Sequence, residues 1–512
     1  MEEILPEEAR AIDENAEFLG VTRLQLMENA GRAIVESILR KTGSIQGKNV
    51  LILAYVGNKG GDGFVAARHF ASMGVPVSLV LLSKPDQIST AEARANFSAV
   101  QKMGSSVELI VAPTVSDLAS LNTSIKDASI LVDAMLGTGA KGDLQGLLRT
   151  AVELCNFSNA YRVAIDVPTG VDPATGKLSE IAFKADLTVT YHRPKTGLLA
   201  KTAKNHVGDL EVVSIGIPPE AELFVGPGDL RLALKPREMF SHKGQNGRLL
   251  IVGGSSRYVG APSLAALAAL RVGVDLVTVA VPSSIVPSVR AFSPDLIVVP
   301  LPTEGKLDLK CIPSIMREAE NADAVVMGMG MGIEQSVKEG VVELVDQLNA
   351  VGKAMVIDAD ALKALGELRK YPQFNCAVLT PHAKEFFDLT GEKLRDEHSA
   401  GWQGRVDTVT RWASRLNVTI LLKSRFDIIA DGKKYKVKTI GNAGMTAGGT
   451  GDVLAGAVGA ILCRGRNPFR SAAAASFLNS YAGDLLAAKY GHHFTARDLV
   501  DSIPLALKEL NI

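Results

Sequence analysis

The sequence predicts an α/β protein made of two three-layer α/β/α domains. The chain has 512 residues, more than one ordinary domain, and 47% of them are hydrophobic, which suffices for large cores. Short apolar runs alternate with helical patterns in both halves, as parallel strands covered by helices do. Prolines and glycines crowd the segment between the halves and indicate a domain junction. We therefore expect domains at 1–216 and 238–512, joined by a linker at 217–237.

Apolar runs and helical periodicity predict the elements of the first half. The run at 49–56 is nearly continuous in apolar residues, as a strand buried on both faces should be. Predicted strands lie at 49–56, 75–82, 107–111, 129–135, 161–167 and 186–192, with helices at 22–41, 64–73 and 91–102.

The second half repeats this alternation and ends in helices. The apolar stretch 259–281 contains Pro262, Arg271 and Asp275, so it predicts a buried helix and a strand rather than a membrane span. Further strands are predicted at 295–300, 324–327, 354–357, 376–379 and 418–423, a hairpin at 427–430 and 434–438, and helices at 447–464, 468–489 and 495–510.

Charge and cysteine content argue against several classes of function. The 55 basic residues balance 55 acidic ones, so no charge excess favours nucleic acid or an anionic membrane as a partner. The four cysteines lack CxxC spacing and predict reduced thiols without a metal cluster. The N-terminus, MEEILPEEAR, lacks the apolar core of a signal peptide, so we expect a cytoplasmic protein. Alanine-rich helices suit packing within or between subunits, and we expect a homo-oligomer.

A glycine-rich stretch at 442–462 predicts a phosphate site. Gly448, Gly449 and Gly451 precede a small-residue helix, whose first amides and positive dipole end attract anions. Asp452 stands at the mouth of this site as a candidate general base that takes a hydroxyl proton during phosphoryl transfer. The alternative is that Thr450 and Asp452 only cap the helix. No Gly-Lys-Ser/Thr follows, so this is not a Walker loop.

Three aspartates follow strands of the first half. Asp62 lies in GNKGGDGF, a predicted glycine loop after the first strand. Asp133 precedes a second glycine loop at 137–142, and Asp166 ends a third strand. Each alone could be a turn or cap residue. Because carboxyl ends of parallel strands meet at one edge of a sheet, together they predict a ligand site there. The pattern lacks the GxGxxG fingerprint of an ordinary dinucleotide-binding unit.

The motifs GNKGGDGFVAARH, VDAMLGTGAKG and AIDVPTGVDPATG resemble the NAD(P)H-hydrate epimerase domain over residues 1–216. The resemblance implies a Rossmann-like fold, Asp166 as the acid/base at the carbon that is inverted, and a potassium site at Lys59, Asp133 and Thr169. It implies hydrate contacts from Asn58, Lys59, Gly60, Gly61, Asp62, Gly137, Thr138, Gly139, Ala140, Lys141, Gly142 and Asp143.

Position 59 departs from that family, which usually has asparagine there. A lysine ammonium cannot ligate a cation, so we hypothesise that Lys59 replaces potassium as the positive partner of Asp133. The alternative is that Lys59 turns to solvent and potassium stays bound.

The stretch 442–452, LTPHAKE and SRYVGAPSLAALAALRVGVDLVTVAVP resemble the ADP/ATP-dependent NAD(P)H-hydrate dehydratase domain over residues 227–512. That domain is similar to the ribokinase superfamily. The resemblance implies hydrate contacts from Ala261, Gly330 or Gly332, His382 and Asp452. It implies nucleotide contacts from Lys423, Ser424, Arg425, Phe426, Asp427, Asn442, Ala443, Gly444, Met445, Thr446, Ala447, Gly448, Gly449, Thr450 and Gly451.

Several of these positions have a second explanation or depart from the family. His382 could be an ordinary loop histidine, and Lys423 an isolated surface lysine. Met329 stands where the family usually has proline, and Lys384 where it usually has glycine, so the pocket shape and loop stiffness are expected to differ.

Together the resemblances imply repair of hydrated NADH and NADPH. The first domain would interconvert the two hydrate epimers, and the second would dehydrate the S form by phosphorylating its hydroxyl from ADP or ATP with Mg²⁺. Phosphate is a better leaving group than hydroxide, which explains the kinase-like fold. The alternatives are a ribokinase-like small-molecule kinase with a non-catalytic N-terminal domain, and a binding module without catalysis.

Overall fold

The computed structural model describes residues 2–137, 139 and 142–512. The chain divides into two compact units, residues 1–218 (unit 1) and 219–512 (unit 2). Each unit contains one central sheet with helices on both faces, which confirms the predicted α/β class.

Unit 1 contains a seven-stranded sheet in which every neighbouring pair is parallel, in the order β3-β2-β1-β4-β5-β6-β7. Its strands are β1 Val50–Ala54, β2 Val77–Leu81, β3 Val107–Val111, β4 Ile130–Ala134, β5 Tyr161–Ile165, β6 Leu187–Tyr191 and β7 Asp209–Val213. Its helices are α1 Pro6–Phe18, α2 Arg23–Thr42, α3 Asn58–Ser72, α4 Ala91–Gln101, α5 Val115–Ala119, α6 Asn122–Asp127, α7 Gly146–Asn156 and α8 Lys204–Val207.

The core of unit 1 lies on both faces of this sheet. All five residues of β1 are buried. Ile52 packs in a cluster with Phe64 and Phe70 of α3, whereas the next residue, Leu53, packs in a second cluster with Val152 of α7. Successive strand residues point to opposite faces, so continuous apolar runs such as β1 require helices on both sides.

Unit 2 contains a nine-stranded sheet in the order β10-β9-β8-β11-β12-β13-β14-β15-β16. Its strands are β8 Arg248–Val252, β9 Leu276–Pro282, β10 Ile297–Leu301, β11 Ala324–Met327, β12 Ala354–Ile357, β13 Ala377–Leu379, β14 Thr419–Leu422, β15 Ile428–Ala430 and β16 Tyr435–Val437. In this spatial order, the first seven strands, β10 through β14, are parallel to one another. The predicted hairpin is confirmed as the antiparallel pair β15–β16, and β15 is also antiparallel to β14.

Helices cover both faces of this sheet as well, and two residues of β8 illustrate it. Ile251 packs among α19 and α20, and Val252 packs on the opposite face. The helices are α9 Glu220–Leu223, α10 Pro227–Ala233, α11 Gly260–Val272, α12 Val286–Arg290, α13 Ile312–Glu320, α14 Gln335–Ala350, α15 Ala359–Leu368, α16 Ala383–Thr390, α17 Glu397–Ala400, α18 Gln403–Leu416, α19 Thr450–Gly465, α20 Pro468–Tyr490 and α21 Ala496–Glu509.

The segment 217–237, predicted as a linker between the domains, is largely part of unit 2. It forms α9 and α10, and Val225, Leu230 and Leu234 are buried in the core of unit 2. The amide of Val225 donates to the carbonyl of Val437 in β16 (3.0 Å). Apolar residues between the prolines therefore fold this segment into unit 2.

Two further features bear on the sequence predictions. The apolar stretch 259–281 forms α11 and β9, as expected. Among the described residues, no helix has the length and apolar character needed to cross a membrane.

Candidate functional site

The carboxyl edge of the unit 1 sheet brings two predicted aspartates and Lys59 together. Asp133 is the next-to-last residue of β4, and Asp166 directly follows β5. Lys59 is the second residue of α3, the helix that follows β1. These three strands are neighbours and parallel, so their carboxyl ends meet. The expectation that the strand ends share one edge is met.

Lys59 is enclosed by oxygen atoms. Its Nζ donates to Asp133 Oδ2 at 2.9 Å and to the carbonyls of Val167 and Leu136 at 2.7 and 3.1 Å. The hydroxyl of Thr169 lies 3.4 Å away. The lysine side chain is 4% exposed, so the alternative in which it turns to solvent is wrong.

Asp133 is fully satisfied by this arrangement. Its Oδ1 accepts from the Met135 amide (3.0 Å) and the Thr169 hydroxyl (2.7 Å), and its Oδ2 accepts from the Thr169 amide (2.8 Å). Burial lowers the pKa of Lys59, and the Asp133 carboxylate opposes that effect. A potassium ion does not fit here, because an ammonium already contacts the oxygens of Asp133 and Thr169 that were expected to bind it.

The glycines of GNKGGDGF correct a second prediction, because they form a helix and not a phosphate loop. Helix α3 begins at Asn58 with Gly57 as its cap. A Cβ on Gly60 would clash with the Tyr55 carbonyl, and one on Gly63 would lie 2.6 Å from Ala134 Cβ. These glycines let the helix approach the sheet closely. They bury residues 59–63 and leave Asn58 exposed.

Asp166 lies in a pocket at the same edge. It has a left-handed backbone (φ 59°), and its Oδ1 accepts from Lys195 Nζ at 2.7 Å and Thr190 Oγ1 at 2.9 Å. Such a conformation is uncommon for a residue other than glycine and is often found at functional sites. The pocket is lined by Ile4, Pro6, Ala9, Arg10, Asp13, Asp166, Tyr191, His192, Lys195, Ile215 and Ile217.

Two more carboxylates near Asp166 have raised pKa values. Burial raises the pKa of Asp13 to about 6, with Lys195 opposing the rise and Asp166 adding to it. Burial and the charge of Asp166 hold the pKa of Asp62 well above its usual range, although Asp62 Oδ2 accepts from the Tyr191 hydroxyl at 3.2 Å. Asp13, which lines the pocket and has a pKa of about 6, can therefore exchange a proton at mildly acidic pH.

The second glycine stretch of unit 1 is described only in part. A Cβ on Gly139 would lie 3.5 Å from Arg10 Nη2, next to the Asp166 pocket. Asp143 Oδ1 accepts from the amide of Glu180 (3.2 Å), so that carboxylate holds a loop. Of the predicted hydrate contacts, Thr138, Ala140 and Lys141 lie outside the described residues.

The glycine-rich stretch of unit 2 opens helix α19 as predicted. Gly449 is the helix cap with φ 95°, and a Cβ there would lie 2.6 Å from Leu264 Cδ1, so glycine is required. The Thr450 hydroxyl donates to the carbonyls of Met445 (2.7 Å) and Ala447 (2.9 Å), so capping does not explain Thr450.

Asp452 lies in the first turn of α19. Among the described residues, none donates a hydrogen bond to its carboxylate or forms an ion pair with it. Burial raises the pKa of Asp452 to about 7; the charges of Asp358 and Glu385 add to the rise, and Lys423 opposes it. A partly buried carboxylate with a pKa near neutrality is suited to general-base work.

Lys423 joins the end of β14 to a group of carboxylates. Its Nζ donates to Asp358 Oδ1 at 2.6 Å and lies 3.8 Å from Glu385 Oε2. Burial would lower the pKa of Lys423, but the two carboxylates outweigh it and raise the value. A Cβ on Gly451 would lie 3.6 Å from this Nζ, so Lys423 adjoins the glycine loop and is not an isolated surface lysine.

His382 caps a helix at the same edge. Its Nδ1 accepts from the amides of Lys384 and Glu385, at 3.1 and 3.2 Å, at the start of α16. Since Nδ1 accepts, the neutral ring carries its proton on Nε2. That nitrogen lies 3.4 Å from Glu385 Oε1 on a half-exposed side chain. His382 is therefore a fixed donor beside the carboxylates, not merely a loop histidine.

The two predicted nucleotide loops are held from within unit 2. Asp427 is buried and accepts from the Ser476 hydroxyl (2.8 Å), and its Oδ1 accepts from the Ser424 amide (3.0 Å). Asn442 donates to Asp484 Oδ1 (2.8 Å), and the Gly441 amide donates to Asp484 Oδ2 (2.9 Å). The side chains of Asp427 and Asn442 thus shape their loops.

Two family models and several known proteins match this chain. A family model described as NAD(P)H-hydrate dehydratase matches residues 249–505, and one described as YjeF-related protein N-terminus matches residues 23–197. A bifunctional NAD(P)H-hydrate repair enzyme of Pyrobaculum aerophilum is 45% identical over 99% of this chain and 98% of its own length. The chain belongs to the bifunctional NAD(P)H-hydrate repair enzyme family.

Other relatives agree with this assignment. The repair enzyme of Methanothermobacter thermautotrophicus is 42% identical over 98% of this chain and 94% of its own length. A ribokinase-like superfamily protein of Enterococcus faecalis has a similar fold (TM-score 0.50, 25% identity), covering 56% of this chain and 96% of its own. Both resemblances predicted from the sequence are confirmed, and membership in a repair-enzyme family does not favour the kinase alternative.

Of the remaining predicted hydrate contacts of the dehydratase half, Gly332 lies beside a carboxylate. The Gly332 amide donates to Asp360 Oδ2 at 3.0 Å. Gly330 packs against Tyr258, where a Cβ would lie 2.5 Å from Tyr258 Cβ. Ala261 is the second residue of α11. Met329, which departs from the family pattern, is buried, and its carbonyl accepts from the Gly254 amide at 2.8 Å.

Sequence reasoning missed several residues that the fold brings to these sites. In the epimerase half these are Lys195 and Asp13, and in the dehydratase half Asp358, Glu385 and Asp484. Asp358 follows a predicted strand and Glu385 lies within LTPHAKE, so both carried a signal. Lys195 and Asp13 lie in no recognisable pattern, because only the tertiary fold pairs them with Asp166.

Proposed function

We propose that the two units act in succession on hydrated NADH and NADPH. Unit 1 interconverts the two hydrate epimers, and unit 2 returns the S epimer to NAD(P)H using ADP or ATP. Membership in the repair-enzyme family supports both activities. The assignment of one activity to each unit rests on the separate family models, which match 23–197 and 249–505.

In unit 2, Asp452 takes the proton from the ring hydroxyl as the phosphoryl group arrives. Amides of Gly448–Gly451 at the start of α19 stabilise charge on that group, and Lys423 offsets phosphate charge. The carbon–oxygen bond to phosphate then breaks and the neighbouring ring carbon loses a proton to solvent, so that a carbon–carbon double bond forms and orthophosphate and the reduced nicotinamide ring are released. The unpartnered Asp452 carboxylate, with a pKa raised to about 7, is the observation that carries this proposal.

Magnesium, when bound, would supply positive charge that offsets the charge of the nucleotide phosphates. The described residues contain no group of three metal-ligating side chains that could hold an ion alone. Mg²⁺ usually binds through one or two carboxylates together with substrate phosphates. Burial raises the pKa of Asp452 and the charges of Glu385 and Asp360 add to that rise, and these two are the carboxylates that would hold the ion.

In unit 1, Asp166 acts as the acid/base at the carbon that is inverted. The ammonium of Lys195, 2.7 Å away, and the hydroxyl of Thr190 hold the Asp166 carboxylate in place. Asp13 lines the same pocket with a pKa near 6 and can store a proton. Gly139, beside Arg10, supports hydrate binding at this pocket.

The test is the recovery of reduced nicotinamide from a mixture of both hydrate epimers. With ADP or ATP added, we expect full recovery of the near-ultraviolet absorbance of NAD(P)H and release of orthophosphate. Recovery of half the material would show that unit 1 does not exchange the epimers. A stable phosphoester product would indicate the small-molecule kinase instead.

We also propose a cytoplasmic homo-oligomer whose partners are small molecules. Balanced charge supports the absence of a nucleic-acid partner, and the cysteine spacing supports a reducing compartment. Sedimentation analysis measures the oligomeric state, and a monomer would contradict that part of the proposal.

A further inference from the structure

The ammonium of Lys59 lies in a cage that contains only oxygen acceptors. A carboxylate (Asp133), two backbone carbonyls (Leu136 and Val167) and a hydroxyl (Thr169) surround it at 2.7 to 3.4 Å. Oxygens of these kinds also bind monovalent metal ions. An ammonium group and a potassium ion carry the same charge and are similar in size.

We propose that Lys59 is a tethered substitute for a bound monovalent cation. Unit 1 is then stable and active without potassium, and removal of the Lys59 ammonium turns the cage into a potassium site. The inference rests on the proposed function only where epimer exchange is the readout.

The chain accommodates the whole lysine side chain, not only its charge. Helix α3 begins at Asn58, the residue before Lys59, so the Lys59 side chain extends from the first turn of the helix. Its ammonium reaches the carboxyl ends of β4 and β5. A Cβ on Gly137 would lie 3.5 Å from Lys59 Cβ and 3.7 Å from its Cδ. Gly137 therefore leaves the space in which the stem packs.

The cage lies directly beside the candidate acid/base. Val167, whose carbonyl accepts from Lys59 at 2.7 Å, follows Asp166 in sequence, and Asp166 has a left-handed backbone. Thr169 ties the same loop to Asp133 through its amide and hydroxyl. Lys59 is thus a positioning residue that fixes the loop carrying Asp166. Unlike an ion, a tethered ammonium cannot dissociate when the potassium concentration falls.

The main test measures the thermal unfolding of the full chain in potassium chloride and in choline chloride at equal ionic strength. Wild-type protein should melt at the same temperature in both. The variant Lys59→Asn leaves Asp133 buried without its cation, so in choline its unit 1 transition should fall by roughly 10 °C. Potassium should restore most of this loss with saturable dependence, and sodium less.

A matched control separates cage chemistry from general salt effects. Lys41 pairs with Asp209 in the same unit at 3.1 Å, but the two side chains are 40% and 71% exposed. Lys41→Asn should show no potassium-specific response, because no oxygen cage surrounds that pair. A potassium response of equal size in both variants would overturn the proposal.

A second variant and a second readout cover the case in which Lys59→Asn does not fold. Lys59→Asn combined with Asp133→Asn removes both charges and should fold without responding to potassium. Hydrogen exchange of wild-type peptides covering 131–137 and 165–170 should be the same in potassium and choline. Potassium-dependent protection of those peptides would contradict the proposal even if no variant could be made.

Epimer exchange gives the functional arm. The wild-type exchange rate should not change between potassium and choline, and Lys59→Asn should exchange only with potassium present. A wild-type rate that rises severalfold with potassium would overturn the inference. Absence of exchange in every salt, with wild-type stability insensitive to potassium and the variant rescued by it, would support the cage and refute only the epimerase assignment.

Discussion

In each unit a lysine pairs with an aspartate at the carboxyl edge of the sheet, Lys59 with Asp133 and Lys423 with Asp358, but the two ammonium groups differ in how many of their N–H donors remain free. Lys59 of unit 1 is 4% exposed and has four oxygen neighbours, although an ammonium has only three N–H bonds to donate. Lys423 of unit 2 is 18% exposed and, among the described residues, donates one hydrogen bond, to Asp358. All three N–H donors of the Lys59 ammonium therefore have acceptors, whereas the Lys423 ammonium retains donors for an incoming phosphate.

The candidate acid/base groups differ in the same way. Asp166 accepts from Lys195 and Thr190, while the Asp452 carboxylate has no donor within the described part of the chain. The two donors fix the orientation of the Asp166 carboxylate, whereas burial raises the pKa of Asp452 to about 7. The carboxyl ends of the parallel strands in the two sheets therefore differ: Asp166 is held by donors of unit 1, whereas none of the described residues donates to Asp452.

The largest expected effect comes from removing the unpaired carboxylate. Asp452→Asn should reduce dehydration of the S hydrate by about 10²- to 10⁴-fold, because a general base is lost. Nucleotide affinity, measured by calorimetry, should change little. Asp407→Asn, on the exposed side of α18, serves as the control and should keep the wild-type rate. A near-normal rate in Asp452→Asn would remove this residue from the mechanism.

The paired carboxylate should affect only the first activity. Asp166→Asn should slow epimer exchange by about 10²-fold or more, while the S epimer is dehydrated at the wild-type rate. NMR observation of the two epimers without nucleotide measures exchange directly. Unchanged exchange would refute the role of Asp166, and a matching loss of dehydration would refute the separation of activities.

Replacing Lys59 or Lys423 by methionine tests whether the two lysines have different roles, one within the fold and one toward nucleotide. Lys423→Met should raise the KM for nucleotide about tenfold or more, because an ammonium near a phosphate at the protein surface contributes a few kcal/mol. Lys59→Met should leave that KM unchanged and lower the stability of unit 1. Steady-state kinetics in ADP and ATP gives the KM, and equal KM values for both variants would contradict the distinction.

Much of this architecture could be predicted because parallel strands buried on both faces have continuous apolar sequences. β1 and β4 are buried along their whole length and were predicted within two residues. The edge strand β7 was missed because its sequence, DLEVV, is exposed or only partly buried and shows no apolar run. Helix α3 was predicted to begin at residue 64, because glycine disfavours helices, yet tight packing on the sheet requires glycine there.

The sites were predictable where chemistry is local in sequence and not where it is tertiary. The glycine turn and Asp452 lie within one stretch, so their arrangement at the start of α19 followed from the sequence. Asp166 precedes β6 in the sequence and Lys195 follows it, so no local sequence pattern indicates that the two residues form a pair. For Lys59, only the fold could decide between a buried ammonium and a solvent-exposed one.

The pH dependence of dehydration tests the role of Asp452 most directly. The base must be ionised to accept a proton, and burial raises its pKa from 3.8 to about 7. We therefore expect kcat/KM for the S hydrate to rise with pH and reach a plateau above about 7, with the residual activity of Asp452→Asn lacking this step. A wild-type profile that is flat through neutral pH, or an identical step in the variant, would contradict the account.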